Sequence, residues 1–153
     1  MDELDRFDVA LLNTLQQDNR QTSDMLAVAV GLSPTACQRR MKRLREAGYI
    51  AADVAVLDPV KVGQRLTLIV QVDMAGGRVD LIDRFKAKMQ KVPEVQQCYY
   101  VTGDSDFIMI VTAQDIAHYE DFTRRIFLQD PSIRKFHTQV VMDSVKLGLA
   151  IPL

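Results

Sequence analysis

Five basic side chains, Arg39, Arg40, Lys42, Arg43 and Arg45, fall between Ser33 and Arg45, a stretch with no acidic residue. Residues 1–50 together hold seven basic and seven acidic side chains, so this stretch is a local cationic face on a neutral segment. Lys and Arg attract phosphates, and Arg and Gln hydrogen-bond bidentately to the edges of guanine and adenine. A basic helix is also often no more than a solvated face, and the charge run alone leaves both readings open. Other chemistry is poorly represented. Cys37 and Cys98 are too few for a disulfide scaffold or a four-ligand zinc site. No P-loop, nucleophile elbow, HExxH or paired acid/base spacing occurs, so no catalytic residue, metal site or cofactor is expected.

Three short helices must position the cationic stretch. Asp5 is placed to cap the first, with Asp8 three residues on, Leu4 and Val9 as a hydrophobic staple, and Leu11, Leu12 and Leu15 continuing the apolar stripe. Thr22 caps a second helix that Gly31 closes, and Ser33-Pro34 opens a third that runs to Gly48. A short Gly-containing turn between two helices is the pattern of a helix-turn-helix, whose second helix enters the DNA major groove. At about 100° per residue, Cys37, Met41 and Leu44 face the core while Thr35, Gln38, Arg39 and Lys42 face away. The coincidence of caps, Gly turn, outward base-readers and acid-free stretch favours DNA contact. The expected contact set is Ser33, Thr35, Gln38, Arg39, Lys42, Arg43 and Arg45, with Gln38 and Arg39 on bases and the last three on phosphates. Arg40, near the core boundary, is expected in an internal ion pair with a carboxylate of the first helix.

Beyond Gly48 the pattern changes. Residues 51–64, with Asp58-Pro59 and Gly63, read as a short wing strand and linker. From 65 onwards, Leu66, Leu68, Val70 and Val72 recur at period two, whereas Val79, Ile82, Phe85, Met89 and Val92 recur at three and four. Strands over 95–101 and 107–112 flank the turn Thr102–Asp106, a helix carries Ile116, Tyr119, Phe122 and Ile126, and a last strand follows Asp130-Pro131. The order β-α-β-β-α-β is the ferredoxin-like split unit, with both helices on one sheet face. Yet Phe107 to Val111 is apolar at five successive positions and Ile69 opposes the Leu66/Leu68 face. Both faces are therefore apolar, and a symmetric homodimer covering the second is the simplest inference. The fold class is α+β: a three-helix winged helix-turn-helix domain (1–50), a wing and linker (51–64) and a ferredoxin-like domain (65–153). A length of 153 residues, 48% hydrophobic residues and a net charge of −1 suit such a protein. With no apolar run near the ~20 residues that span a bilayer and an acidic Met1–Asp5, the expectation is a cytoplasmic protein without a membrane partner.

These residues resemble the Lrp/AsnC (leucine-responsive/asparagine, "feast/famine") regulators over nearly the whole chain. The likeness is carried by Leu4-Asp5, Asp8 and Leu11-Leu12, by Val30-Gly31-Leu32-Ser33-Pro34-Thr35 with Cys37 and Arg40, and by Leu44 through Gly48. It continues in Val56-Leu57-Asp58-Pro59, Val101 through Phe107 and Val140-Val141-Met142-Asp143. The resemblance implies a regulator of double-stranded DNA whose dimers assemble into octamers and bind an amino-acid effector between dimers. Carried over by position, the effector site comprises Tyr100, Val101, Thr102, Gly103, Asp104, Asp106, Ile116, Gln139, Val140 and Val141. Gly103 lets backbone amides approach a carboxylate, and an Asp accepts from an ammonium group; a plain hairpin turn uses the same residues for its own geometry. Ala36 and Gln38-Arg39 depart from a common family pattern of Pro and Leu-Glu, so a different preferred base sequence is expected. Two other readings compete. Siroheme decarboxylases resemble this family, which makes His118 and His137 candidate acid/base groups and Arg134 and Lys135 carboxylate binders, although an outward Arg39, Lys42 and Arg43 serve no purpose there. A sensing or assembly protein without DNA binding is the other, and the same basic helix argues against it.

Overall fold

In the computed structural model, which describes residues 3–153, the first helix starts at its sequence cap. Asp5 Oδ1 accepts from the N–H groups of Phe7 and Asp8, both at 2.9 Å, and Asp8 Oδ2 accepts from the Asp5 N–H at 3.2 Å. This reciprocal box satisfies otherwise orphaned donors at the head of α1, Arg6–Leu15. Thr22 caps α2, Ser23–Val30, through the Met25 N–H, and Ser33 caps α3, Pro34–Glu46, through the Ala36 N–H. Between them Gly31 adopts φ +72°, the left-handed conformation that ends α2 and turns the chain into α3. Leu11, Leu15, Leu26, Ala27 and Cys37 form the small core that fixes the three helices against one another. Met1 and Asp2, at the head of the predicted 1–50 segment, lie outside the described residues.

The second half alternates as its periodicity requires: β1 Leu66–Met74, α4 Val79–Met89, β2 Val95–Tyr100, β3 Phe107–Ala113, α5 Ile116–Thr123 and β4 Ile133–Val140. A π-helical turn, Arg124–Leu128, continues α5. The strands form one antiparallel sheet in the order β2-β3-β1-β4. Leu68, Val70 and Val72 of β1 and Phe107, Met109 and Val111 of β3 are buried on one face with Phe85, Phe122 and Phe127 from the helical segments. The alternate positions Ile69, Ile108 and Ile110 stand on the other face, half-buried between neighbouring side chains and covered by no element of the second unit. A helix-turn-helix followed by a ferredoxin-like βαββαβ unit is therefore the observed architecture.

One expectation changes. No strand forms within 51–64: the segment is an extended linker followed by a turn at 59–63, because it finds no neighbouring strand among the described residues with which to exchange backbone hydrogen bonds. The chain divides into a unit that runs to Val56 and takes in Lys146–Leu153, and a unit Leu57–Val145. One side chain ties the tail to the residue that ends α1. Gln16 Nε2 donates to the Ile151 carbonyl at 2.8 Å, and the Ile151 N–H donates to Gln16 Oε1 at 2.9 Å.

Phe107 is wholly buried, with ring centroids 4.6 Å from Phe85 and 5.2 Å from Tyr100. Phe107→Ala should destabilise the second unit by about 3–5 kcal/mol, read as a shift in its chemical unfolding midpoint.

Candidate nucleic-acid interface and ligand turn

The electrostatics of the first unit begin with Asp8, only 1% exposed although charged. Arg40 reaches it from α3, its Nη1 lying 2.8 Å from Asp8 Oδ1 and 2.7 Å from Asp5 Oδ2, and Arg43 Nη2 pairs with Asp8 Oδ2. Burial by itself raises the Asp8 pKa, and hydrogen bonds from Arg43 and Arg40 outweigh it, so the carboxyl is held below its ordinary value. The same bonds, Asp8 first and Asp5 second, raise the pKa of Arg40. This network locks α3 onto α1. Arg40 thus sits in the expected internal pair, and Arg43 shares it instead of facing away.

The remaining predicted contact residues divide by what holds them. Thr35, Gln38 and Arg39 are exposed and make no hydrogen bond or ion pair among the described residues. Lys42 is exposed, with Glu46 at 3.7 Å as a loose partner one helical turn on. Ser33 Oγ is engaged as the α3 cap. Arg45 Nε lies 2.9 Å from Asp53 Oδ2 on the linker, and Asn19 Nδ2 donates to Asp53 Oδ1 at 2.8 Å. Asp53 is held below the usual carboxylate pKa, chiefly by the Arg45 hydrogen bond. Sequence reasoning missed this pair; its only signal was an acid eight residues beyond a base, across a break in periodicity.

In the second unit, Gly103 has φ +122°, a conformation that favours glycine, and the Val101 N–H donates to the Asp106 carbonyl across the turn. Asp106 is largely committed: its N–H donates to the Val72 carbonyl at 3.0 Å, and its Oδ2 accepts from the Met74 N–H at 2.7 Å, clamping the turn to the end of β1. Asp104 and Thr102 are exposed beside it. Tyr100 is half-exposed, with Lys86 Nζ 4.5 Å from its ring centre, and both line a cleft of about 430 Å³. The other predicted ligand residues lie elsewhere. Gln139 and Val140 pair with Ile69 and Leu68, the Val141 N–H donates to the Thr67 carbonyl, and Ile116 follows β3 past Ala113, the partner of Leu66. The turn is at the Val72–Phe107 end of the sheet, so roughly 13–20 Å of strand separates the two groups at about 3.3 Å per residue. Ile116 lines a second cleft of about 600 Å³ with Arg65, Gln114 and Asp115. Arg65, exposed and without an ion-pair partner among the described residues, is a residue that sequence reasoning missed; a base directly ahead of an apolar strand was the available signal.

Residues 4–51 match the winged helix-turn-helix DNA-binding family, and residues 67–151 match the Lrp/AsnC ligand binding domain. The chain belongs to the Lrp/AsnC family of transcriptional regulators. It is 56% identical over 151 residues to an HTH-type transcriptional regulator of Sinorhizobium fredii, covering 99% of this chain and 89% of that one. A crystal structure of an AsnC family transcriptional regulator from Agrobacterium tumefaciens superposes with a TM-score of 0.91 at 35% identity, over 97% of both chains. A transcriptional regulator of Neisseria meningitidis, solved as an L-Met complex, superposes with a TM-score of 0.93 at 29% identity, covering 98% of this chain and 97% of that one.

As a member of this regulator family, the chain leaves the decarboxylase candidates dispersed. His118 Nδ1 accepts from the Gln114 N–H at 3.2 Å and its Nε2 lies 3.9 Å from Glu94 Oε1, whereas His137 stands opposite Gln71 on the sheet face away from the helices. Arg134 lies 3.4 Å from Asp73. No helix among the described residues is long and apolar enough to cross a membrane.

Because the folded-state pKa of Asp8 is depressed, its contribution is present in full above the unfolded value of about 3.9 and lost as pH falls below it. Asp8→Asn should cost the first unit about 1.5–3 kcal/mol at pH 7, toward the lower end because Arg43 is 43% exposed, and should lessen the fall in its stability as the solution is acidified below the ordinary carboxylate range, measured by denaturation against pH.

Proposed function

We propose that this Lrp/AsnC regulator reads DNA with Gln38 and Arg39, grips phosphates with Lys42 and Arg45, and has its binding biased by an amino acid held between copies of the chain. The observation that carries the DNA reading is the division of α3: Arg40 and Arg43 pair with Asp8, while Thr35, Gln38 and Arg39 remain outward and unengaged among the described residues. A helix used only as a solvated face has no need for that separation. Arg39 suits the O6/N7 edge of guanine and Gln38 the N6/N7 edge of adenine, with Ser33 and Thr35 near enough the helix start to assist. Arg43 contributes by holding the helix in place.

The sheet supports a second copy. Ile69, Ile108 and Ile110 form an apolar centre ringed by Gln71, Gln97, Gln139 and His137, and packing one such face on another removes it from water. Assembly of dimers into octamers has a chemical reason in the same unit. The turn and the Ile116–Val141 group are at opposite ends of one sheet, so a ligand touching both must bridge copies. An amino acid suits such a bridge: Asp104 meets its ammonium from one copy and Arg65 its carboxylate from another, with the Gly103 backbone open to approach. The L-Met bound by the Neisseria relative agrees with that chemistry. The site of action is then cytoplasmic, on double-stranded DNA.

The test is binding to the protein's own upstream region, titrated in salt with and without the twenty amino acids. Affinity should fall steeply with salt, and Lys42→Ala should weaken all sequences alike and lower the log–log slope by about 0.9. Arg39→Ala should cost about 1–3 kcal/mol on the preferred site and relax its sequence preference. Absence of any complex at low salt would overturn the reading. In a separate measurement, Ile108→Asp should yield monomers in sedimentation, and Asp104→Ala should abolish the amino-acid response while leaving DNA binding in its absence unchanged.

A further inference from the structure

Arg40, Arg43 and Arg45 all leave α3 to meet a carboxylate, but the two acids that receive them differ in kind. Asp8 is 1% exposed, sits within a helix and bonds to the Asp5 backbone, so its pairs with Arg40 and Arg43 are part of the fold. Asp53 is 41% exposed and lies on the extended linker, four residues ahead of Leu57, where the second unit starts. Among the described residues it is held by Arg45 Nε at 2.9 Å, by Arg45 Nη2 at 3.4 Å and by Asn19 Nδ2 at 2.8 Å. Exposed pairs of this kind are weak and readily exchanged. Arg45 is also on the DNA-facing stripe: seven residues after Gln38, it falls within about 20° of the same direction on the helix.

We propose that Asp53 is an internal substitute for a DNA phosphate: it holds the Arg45 guanidinium in the free protein, and engaging DNA through Arg45 requires the linker to let go at Asp53. A carboxylate offers the guanidinium fork the same two-oxygen geometry that a phosphate offers, so one partner replaces the other without rearranging the helix. The exchange makes Asp53 a positioning residue with two effects. It lowers DNA affinity by the worth of the pair it must break, and it frees the linker from α3 and the α1–α2 turn when DNA is bound. Linker posture and DNA occupancy are thereby coupled, and whatever changes the linker's course from the second unit acts on DNA affinity through this contact. The inference rests on the DNA-binding reading above.

The experiment is a two-by-two cycle of wild type, Asp53→Ala, Arg45→Ala and the double variant, each titrated with salt against the protein's own upstream duplex. Asp53→Ala should tighten binding about 1.5- to 5-fold, the worth of an exposed ion pair. Arg45→Ala should lower the log–log salt slope by about 0.9, and should cost more affinity in the Asp53→Ala background than in wild type. Equal affinity for wild type and Asp53→Ala, or an Arg45→Ala cost that is the same in both backgrounds, overturns the inference while leaving the DNA reading intact. Failure of wild type to form any salt-dependent complex overturns both.

Discussion

A single buried carboxylate governs the first unit. Asp8 is almost wholly removed from water, and removing a lone carboxylate costs several kcal/mol unless hydrogen-bonded cations compensate it. Two arginines, one turn apart on α3, supply that compensation, and the Asp5 N–H supplies another bond. The requirement works in both directions. Asp8 is tolerable only where α3 lies at the angle that delivers Arg40 and Arg43, and α3 lies there because any other angle strands the charge. The orientation of the outward face, with Gln38 and Arg39, follows from this pairing as much as from the apolar core of Leu11, Leu26 and Cys37.

The second unit is governed by a different constraint, the one-sided cover of its sheet. Two helical segments can shield only one face, and the aromatic and aliphatic side chains on that face fill its interior completely. The opposite face keeps three isoleucines at its centre without losing order in the fold, because backbone pairing across four antiparallel strands does not depend on what stands above them. An apolar centre bounded by three glutamines, by Tyr99 opposite Ile108 and by a histidine has the anatomy of an interface, dry in the middle and polar at the rim.

Local signals made most of this legible in the sequence. The capping box at Asp5/Asp8, Gly31, Ser33-Pro34 and the period-two run from Leu66 each act within a few residues, and each sits where its pattern puts it. The capping role of Asp8 was legible, but its part as the anchor for both Arg40 and Arg43 was not, because 32 and 35 residues of chain separate the partners. The same distance problem hid the Asn19–Asp53 contact, 34 residues apart, and the Gln16 hold on Ile151, 135 apart, whereas Arg45 and Asp53 are close in sequence but lie across a break in periodicity. The linker failed as a strand for a related reason. Alternation at Val54 and Val56 gives a preference for extended chain, but a strand exists only with a partner, and partner identity is not written in the segment itself.

The predicted ligand residues show how family position and single-chain geometry carry different information. Asp106 bonds to the backbone of β1, so the turn is rigid where it meets the sheet, while Asp104, one residue after Gly103, is exposed at its tip. A rigid base with an exposed acid suits a group that must meet a ligand without rearranging. The remaining residues are a sheet's length away, and nothing within one antiparallel sheet can bring its two ends together. If all ten positions serve one ligand, it completes its contacts only where two chains meet. A small molecule can change assembly only by binding one arrangement of copies better than another, and a site divided between chains is the kind that meets that condition.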